Sequence, residues 1–538
     1  MESARTAEAV QTAIAEGRTA LGIELGSTRI KATLIDESGT ALASGSSTWE
    51  NQFADGLWTY SLEAVHAGLR DAYADLVKQV NGTFGVTPTG YGALGVSAMM
   101  HGYLAFGADG ELLVPFRTWR NTNTGPAAAT LSQEFGVNIP LRWSVAHHYQ
   151  ALLDGEAHVA RVTSLNTLAG YVHQLLSGRT VLGVGDASGM FPIDAATGGY
   201  DSALLARFDA LAAAHGAQAP LLDLLPPVLA AGADAGTLTE EGAALLDPSG
   251  TLRPGALLCP PEGDAGTGMV ATNAVSERTG NVSAGTSIFA MVVLERPLGG
   301  VHHEIDVVTT PEGLPVAMVH CNNGSSELGA WVGIFGEFAA ALGVQADSDA
   351  IFGAVLGGAL EADADGLLAY NLLSGEPIAG TDEGRPLFVR TPGSRLTLAG
   401  FAKAQLFGVF GTLSLGMRIL ASEGVAVDTM FAHGGLFRTG GIAQRALAAA
   451  VGSPVAVGES ASEGGSWGIA LLAAYTRAVA DGSAAGRDLG TWLDETVFAA
   501  AAVEPVVPTD AEIADYAAFI ERWQAGLALQ HAAVAAVR

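Results

Sequence analysis

Apolar residues alternate at Leu21, Ile23 and Leu25 and again at Ile30, Ala32 and Leu34, on either side of Gly26-Ser27-Thr28. Two-residue periodicity about a glycine turn predicts a β-hairpin over residues 21–35, followed by a third strand over 41–46. The pattern returns over residues 280–294, where Gly285-Thr286-Ser287 separates two apolar runs. Aligning Gly26 with Gly285 sets Ser27-Thr28 beside Thr286-Ser287 and Glu24 beside Ser283, so the first copy alone carries an acid. Two such hairpins, in register but far apart, predict a duplicated fold with the active site between the copies. Helical patterns cover residues 61–80, 202–215, 401–423, 439–451 and 464–479. Residues 510–537 read as one terminal helix, and a short helix is expected ahead of the first strand. Alternating strands and helices predict α/β architecture. The expected divisions are an N-terminal extension (1–18), a first domain (19–277) and a second domain (278–538).

Composition narrows the functional classes. A chain of 538 residues exceeds what one core usually organises, which agrees with two domains. Half of it is apolar and only 15% is charged, as expected of well-buried globular domains. The formal net charge of -29 repels phosphate backbones and anionic lipid, so neither nucleic acid nor a membrane surface is an expected partner. Cys259 and Cys321 form no disulfide framework or metal-ligand spacing and read as small buried hydrophobes, consistent with a reducing cytoplasm. Residues 1–18 lack a basic segment followed by an apolar core, and no apolar run is long enough to span a bilayer.

Several segments carry candidate chemistry. In Glu24-Leu-Gly-Ser-Thr-Arg-Ile-Lys31 the glycine turn offers backbone N–H groups to phosphate oxygens, Ser27 and Thr28 add hydroxyl donors, and Lys31 adds a cation. Glu24 suits a hydrated Mg²⁺, and an ordinary hairpin with solvated charges is the alternative. Asp264, framed by glycines in Pro260-Pro-Glu-Gly-Asp-Ala-Gly-Thr-Gly268, suits a general base; a helix N-cap is its alternative, and Glu262 competes for the same role. Met100-His101-Gly102 follows an apolar strand, where open α/β sheets form ligand crevices, although a packed histidine fits equally well. Phe116-Arg-Thr-Trp-Arg120-Asn121-Thr-Asn123 is dense in groups that fix sugar hydroxyls or build turns. Gly434-Gly435, within His433-Gly-Gly-Leu-Phe-Arg-Thr439-Gly440, could lie against adenine or ribose or serve as a turn.

Taken in order, these segments resemble the FGGY carbohydrate kinases over residues 21–523. Gly22-Ile-Glu-Leu-Gly-Ser-Thr28 and Asn281 to Ser287 are similar to the family's two phosphate hairpins, Met100-His-Gly102 to its sugar signature, and Asp186-Ala-Ser-Gly189 to an element of its xylulokinase-like members. Gly263-Asp-Ala-Gly266 resembles the catalytic segment, Gly434-Gly435 the adenosine motif, and Ser466-Trp-Gly-Ile-Ala-Leu-Leu-Ala-Ala474 the closing helix. The resemblance implies two actin-like (ribonuclease-H-like) domains with an interdomain active-site cleft and ATP with Mg²⁺ as cofactors. It implies Asp264 as base and Glu24 as metal residue. Met100, His101, Arg120, Asn121 and Asp264 would hold the sugar. Ser27, Thr28, Lys31, Gly285, Thr286, Gly434, Gly435 and Thr439 would hold the nucleotide. The expected partners are a small sugar and MgATP, and a homodimer is compatible with them.

The sequence departs from the family in two places. Glu24 stands where the family has Asp, and Trp119-Arg120-Asn121 lacks the carboxylate of the family's Trp-Arg/Asn-Asp. Trp49-Glu-Asn-Gln52, Leu57-Trp-Thr-Tyr-Ser61 and His320-Cys-Asn-Asn323 look like a ribulokinase-type branch, implying conversion of L-ribulose to L-ribulose 5-phosphate ahead of phosphorylation of D-xylulose. A non-catalytic sugar sensor and an actin-like ATPase acting on proteins are the competing classes. A nicotinamide enzyme is disfavoured, because no strand leads into Gly-x-Gly-x-x-Gly.

Overall fold

The first hairpin forms where the alternation places it: β1 (Ala20–Leu25) pairs antiparallel with β2 (Arg29–Ile35), closed by a 3.0 Å bond from the Gly26 N–H to the Arg29 carbonyl. The computed structural model describes residues 7–438, 441–458, 464–499 and 503–537, and the chain divides into two units. In the first, β3 (Ala41–Thr48) extends the hairpin, while β4 (Ala93–Ala98) joins β1 in parallel. β5 (Leu257–Leu258) and β6 (Glu262–Gly263) both pair with β4, giving the order β5–β4–β1–β2–β3.

The second unit repeats this plan. β7 (Thr279–Ala284) and β8 (Ile288–Val293) form its hairpin, flanked by β9 (Ile305–Thr309), β10 (Pro315–Cys321), β11 (Thr429–His433) and β12 (Val455–Val457) in the order β9–β10–β8–β7–β11–β12. In both sheets the first hairpin strand pairs in parallel with a later strand, β1 with β4 and β7 with β11. The duplication read from the hairpins therefore extends to whole sheets. The second turn is one residue tighter: Ala284 pairs with Ile288, whereas Leu25 pairs with Ile30.

Side chains alternate across the first sheet, so Ile23, Ile30 and Ala32 face one way and Gly22, Glu24, Lys31 and Thr33 the other. The helix Leu62–Phe84, capped by the Ser61 side chain, packs on the first face. The helix Gly465–Ala480 packs on the second. Gly22 and Gly95 are register partners on β1 and β4 and leave that face without side chains. A Cβ on Gly22 would stand 2.1 Å from the Ser466 carbonyl oxygen, and one on Gly95 2.8 Å from that of Ile469. The two hydroxyls Thr33 Oγ1 and Ser466 Oγ meet at 2.8 Å in this buried contact.

This packing revises the domain reading. Residues Glu463–Ala501 and Val308–Pro315 cluster with Met1–Val275, so the helix at 464–479, expected in a continuous second domain, completes the first unit. The returning helix covers the glycine-lined face of the sheet. The terminal segment also differs from one helix: it is broken at Gly526 into Asp510–Ala525 and Ala528–Ala536. Among the described residues no single helix is long and apolar enough to cross a membrane. The bent pair Leu398–Val409 and Gly411–Ser422 is almost wholly buried in the second unit.

The close helix–sheet contact sets an expectation for Gly22→Ala. Its methyl group would press on the Ser466 carbonyl and on the Ala470 N–H and methyl group, so the first unit should lose about 1–3 kcal/mol, read as a lower urea midpoint. An unchanged midpoint would show that the helix backbone does not rest on β1.

Candidate active site

Three chain segments leave the first sheet at one edge. Glu24 on β1 is level with Ser97 on β4, and Ser97 is level with Glu262 on β6. Just past that level come Gly26-Ser27-Thr28, Met99-Met100-His101 and Asp264, at the carboxyl ends of parallel strands where α/β sheets bind ligands.

Asp264 is the first residue of the helix Asp264–Ala271; Gly263 occupies the N-cap position and no side chain caps it. The N-cap alternative for Asp264 is thereby replaced: its Oδ1 accepts the Met100 N–H at 3.1 Å. The residue is exposed to solvent, yet the protein around it raises its pKa by desolvation, opposed by backbone N–H donors and the positive charge of Arg142. Glu24 lies near enough to feel it. Desolvation and the Asp264 charge lift Glu24 from 4.5 to about 7, against the opposing pull of Lys31, its cross-strand neighbour, and of the Ser466 N–H, which reaches Glu24 Oε2 at 3.1 Å. Glu262 is fully buried, at the back of the segment, where it accepts backbone N–H groups of Gly185 and Asp186, so it does not compete as base.

His101 holds a left-handed backbone (φ 72°), unusual for a side chain with a Cβ. Its Nδ1 lies 3.3 Å from the Gly189 carbonyl, which can only accept, so Nδ1 carries the proton and Nε2 is left as an acceptor. Burial and Arg142 push its pKa well below 6.5, which keeps the ring neutral. Arg120 is exposed, with its guanidinium 4.7 Å from the Trp58 ring centroid and 5.7 Å from that of Trp119. Among the described residues it has no carboxylate partner. Asn121, expected to touch the sugar, is corrected to a supporting role. It is buried, and its amide is taken up by the Trp58 N–H (2.9 Å) and carbonyl (2.8 Å) and by the Thr118 carbonyl (3.1 Å).

The glycine turns are held by their carbonyls. In the first unit the Trp49 indole donates to the Gly26 carbonyl at 2.7 Å and the Tyr60 hydroxyl to that of Ser27 at 2.5 Å, with the two rings stacked 4.1 Å apart. In the second, the Gly324 N–H reaches the Thr286 carbonyl at 2.7 Å and the Ser325 N–H that of Gly285 at 2.8 Å. Buried Asn323 anchors this support, accepting the N–H groups of Leu373 and Ser374 and donating to Glu376. Among the described residues the N–H groups of Ser27, Thr28 and Thr286 have no protein partner, as a phosphate cradle needs. Gly434 (φ 117°) passes so close to β7 that a Cβ would stand 2.2 Å from the Ala284 carbonyl oxygen, and Gly435 beside it is open. Thr439 lies outside the described residues.

Trp49, Tyr60, Asn323 and Ser466 escaped functional assignment from sequence. Each lies in a segment that resembles the family, but the groups they hold (the Gly26 and Ser27 carbonyls, the Leu373 and Ser374 N–H groups, the Glu24 carboxylate) are far away along the chain. For a metal, the first unit offers carboxylates rather than a cage. Among the described residues no cluster of three or more His, Cys, Asp or Glu exists. A nucleotide-borne Mg²⁺ needs only one or two protein carboxylates, and Glu24 beside Asp264 fits that demand.

Residues 19–249 match the N-terminal domain model of the FGGY family of carbohydrate kinases and residues 280–477 its C-terminal domain model. The chain belongs to the FGGY carbohydrate kinases, a family that uses ATP, usually with a divalent metal. Its fold is that of the actin-like sugar kinases. A xyloylose kinase from Brucella ovis is 19% identical, with 94% of this chain and 98% of that one covered and a TM-score of 0.75. A gluconate kinase from Lactobacillus acidophilus is 17% identical (95% and 98%; TM-score 0.75), and a xylulose kinase from Rhodospirillum rubrum 19% (96% and 99%; TM-score 0.74). No curated protein matches the sequence.

The buried titratable groups set how stability varies with pH. Glu24 and Asp186 (both about 7) and Glu262 (about 8) keep protons in the folded chain that the unfolded chain releases near pH 4, which lowers stability as pH rises through 8. Buried neutral His101, His147, His148 and His173, with pKa values depressed by desolvation, act oppositely and only below about 6.5. Asp264 and buried Glu376 add raised carboxyls and buried His158 a depressed imidazole, so histidines and carboxyls roughly offset each other below pH 6.5 and the carboxyls act alone above it. Thermal melts should show little change from pH 5 to 6.5 and a fall of several degrees from 6.5 to 8.5; a rise over the upper interval would contradict the burial of these acids.

Proposed function

We propose that the protein transfers the γ-phosphoryl group of MgATP to a terminal hydroxyl of a ketopentose, L-ribulose ahead of D-xylulose. The observation that carries this is the solvent-facing Asp264 carboxylate, fixed by the Met100 N–H beside His101 at the edge where β1, β4 and β6 end. In this reading Asp264 accepts the proton of the attacking hydroxyl. Its partly desolvated setting strengthens it as a base, while the Met100 N–H holds one oxygen and leaves the other for the proton. His101 Nε2 accepts a second sugar hydroxyl, and Arg120, steadied by Trp58, donates to sugar oxygens. The free N–H groups of each glycine turn are assigned to phosphate oxygens, with Lys31 offsetting their charge. Glu24 holds the nucleotide's Mg²⁺, which supplies neutralisation of the phosphates.

The sugar assignment follows the ribulokinase-type pattern of residues 49–61, 116–121 and 320–323. D-xylulose and gluconate are the second reading, because structural neighbours are described as xylulose and gluconate kinases. ADP release over L-ribulose, D-xylulose, D-ribulose, L-xylulose and gluconate separates them, with L-ribulose expected to give the highest kcat/KM. ATP hydrolysis as fast without any of these acceptors would overturn the kinase reading for this chain.

Asp264→Asn keeps the shape and removes the base. Turnover should fall by about 10²–10⁴-fold with ATP affinity kept, measured by coupled ADP release and calorimetry. Activity within a few-fold of wild type would remove Asp264 from the chemistry.

A further inference from the structure

Glu262 stands two residues before Asp264, is 1% exposed, and has no part in the chemistry assigned above. Its Oε2 accepts the Asp186 N–H at 2.9 Å and its Oε1 the Gly185 N–H at 3.3 Å. The carboxylate fits because side chains are absent: a Cβ on Gly183 would lie 2.2 Å from Oε1, and one on Gly185 2.4 Å from Oε2. The clamped segment runs on to Gly189, whose carbonyl receives the His101 Nδ1–H and where a Cβ would lie 2.6 Å from that nitrogen and 2.9 Å from Met100 Cε. Met100 in turn gives its N–H to Asp264. Every link from Glu262 to the sugar edge is thus a hydrogen bond or a contact too close for an added atom.

We propose that Glu262 is a positioning residue for the acceptor: by gripping the Gly185 and Asp186 N–H groups it fixes the Gly189 carbonyl, and through it the ring of His101 and the Met100 side chain. The proposal rests on the reading of Met100 and His101 as sugar contacts. An acid is a costly choice for such a clamp. Asp186 is buried beside it, with Oδ2 taken by the Thr167 hydroxyl at 2.6 Å and Oδ1 without a hydrogen-bond partner among the described residues. Desolvation holds both carboxyls above their usual range, helped by the charge of Asp186 at Glu262 and that of Asp264 at Asp186. The two oxygens of Glu262 take one N–H each, which pins both Gly185 and Asp186 and so seats the segment that carries Gly189.

Two substitutions attack the clamp from opposite sides in the full chain. Glu262→Gln keeps the size but opposes an amide N–H to one of the two backbone donors. Gly185→Ala leaves Glu262 intact and drives its carboxylate away. Both should raise the KM for L-ribulose, or for D-xylulose if that is the better acceptor, by about tenfold, as loss of one buried hydrogen bond implies, with the KM for MgATP unchanged within twofold. A lowered unfolding midpoint with an unchanged sugar KM in either folded variant would reduce Glu262 to a passive cap and overturn the proposal, as would equal rises in both KM values. The outcome is separable from that of Asp264→Asn, which reads kcat: lost turnover there with no sugar-KM shift here removes the role of Glu262 and leaves Asp264 standing.

Discussion

The first unit depends on a helix lying directly on strand backbone. Gly22 and Gly95, side by side on β1 and β4, let the helix Gly465–Ala480 approach until its carbonyls replace the missing side chains. Dispersion and exclusion of water over such a flat contact are large, and a larger residue at either strand position would have to push the helix away. The contact also fixes chemistry. It sets the start of the helix against Glu24, so that the Ser466 N–H reaches the carboxylate, and Gly468 against Thr267 in the helix that begins at Asp264. Packing of backbone on backbone thus fixes both acids of the site.

The cost of that arrangement is electrostatic. Glu24, Asp186, Glu262 and Asp264 all carry pKa values raised by desolvation, three of them raised further by a neighbouring acid. Lys31 and Arg142 offset part of this, and backbone N–H groups at Met100, Gly185, Asp186 and Ser466 the rest. Acids crowded in this way suit the roles proposed above, since a base of raised pKa and a seat for a cation would need the same neighbourhood. The second unit holds its turn differently, through the neutral amide of Asn323 and the Gly324-Ser325 backbone, so the two copies of one hairpin serve with unlike surroundings.

What could be read from the sequence was what is local. The hairpins followed from two-residue alternation, and their equivalence extended to sheet order; the Asp264 segment was visible as an acid among glycines. What could not be read was carried by distance. The helix at 464–479 showed its own periodicity, but nothing in its residues says that its face fits Gly22 and Gly95, over 370 residues earlier. Asn121 reads as a sugar ligand until Trp58 consumes its amide. Trp49 and Tyr60 look like ordinary aromatics, and only their pairing over the first turn shows that they hold the carbonyls of Gly26 and Ser27.

The three-part composition of the first unit bears on how the chain comes into being. Synthesis delivers β1 through β6 early, with the glycine-lined face of the sheet still bare. The covering helix follows only after residues 276–462 have been made. At about 5–20 residues per second that interval is on the order of 10–40 s. During it the nascent sheet presents an open groove with no native partner, while most of the second unit's strands emerge and can pair among themselves. The later-encoded unit is therefore the one placed to mature first. The half that carries Glu24 and Asp264 waits for the segment Glu463–Ala501, so these two carboxylates take their places only after the intervening unit has been made.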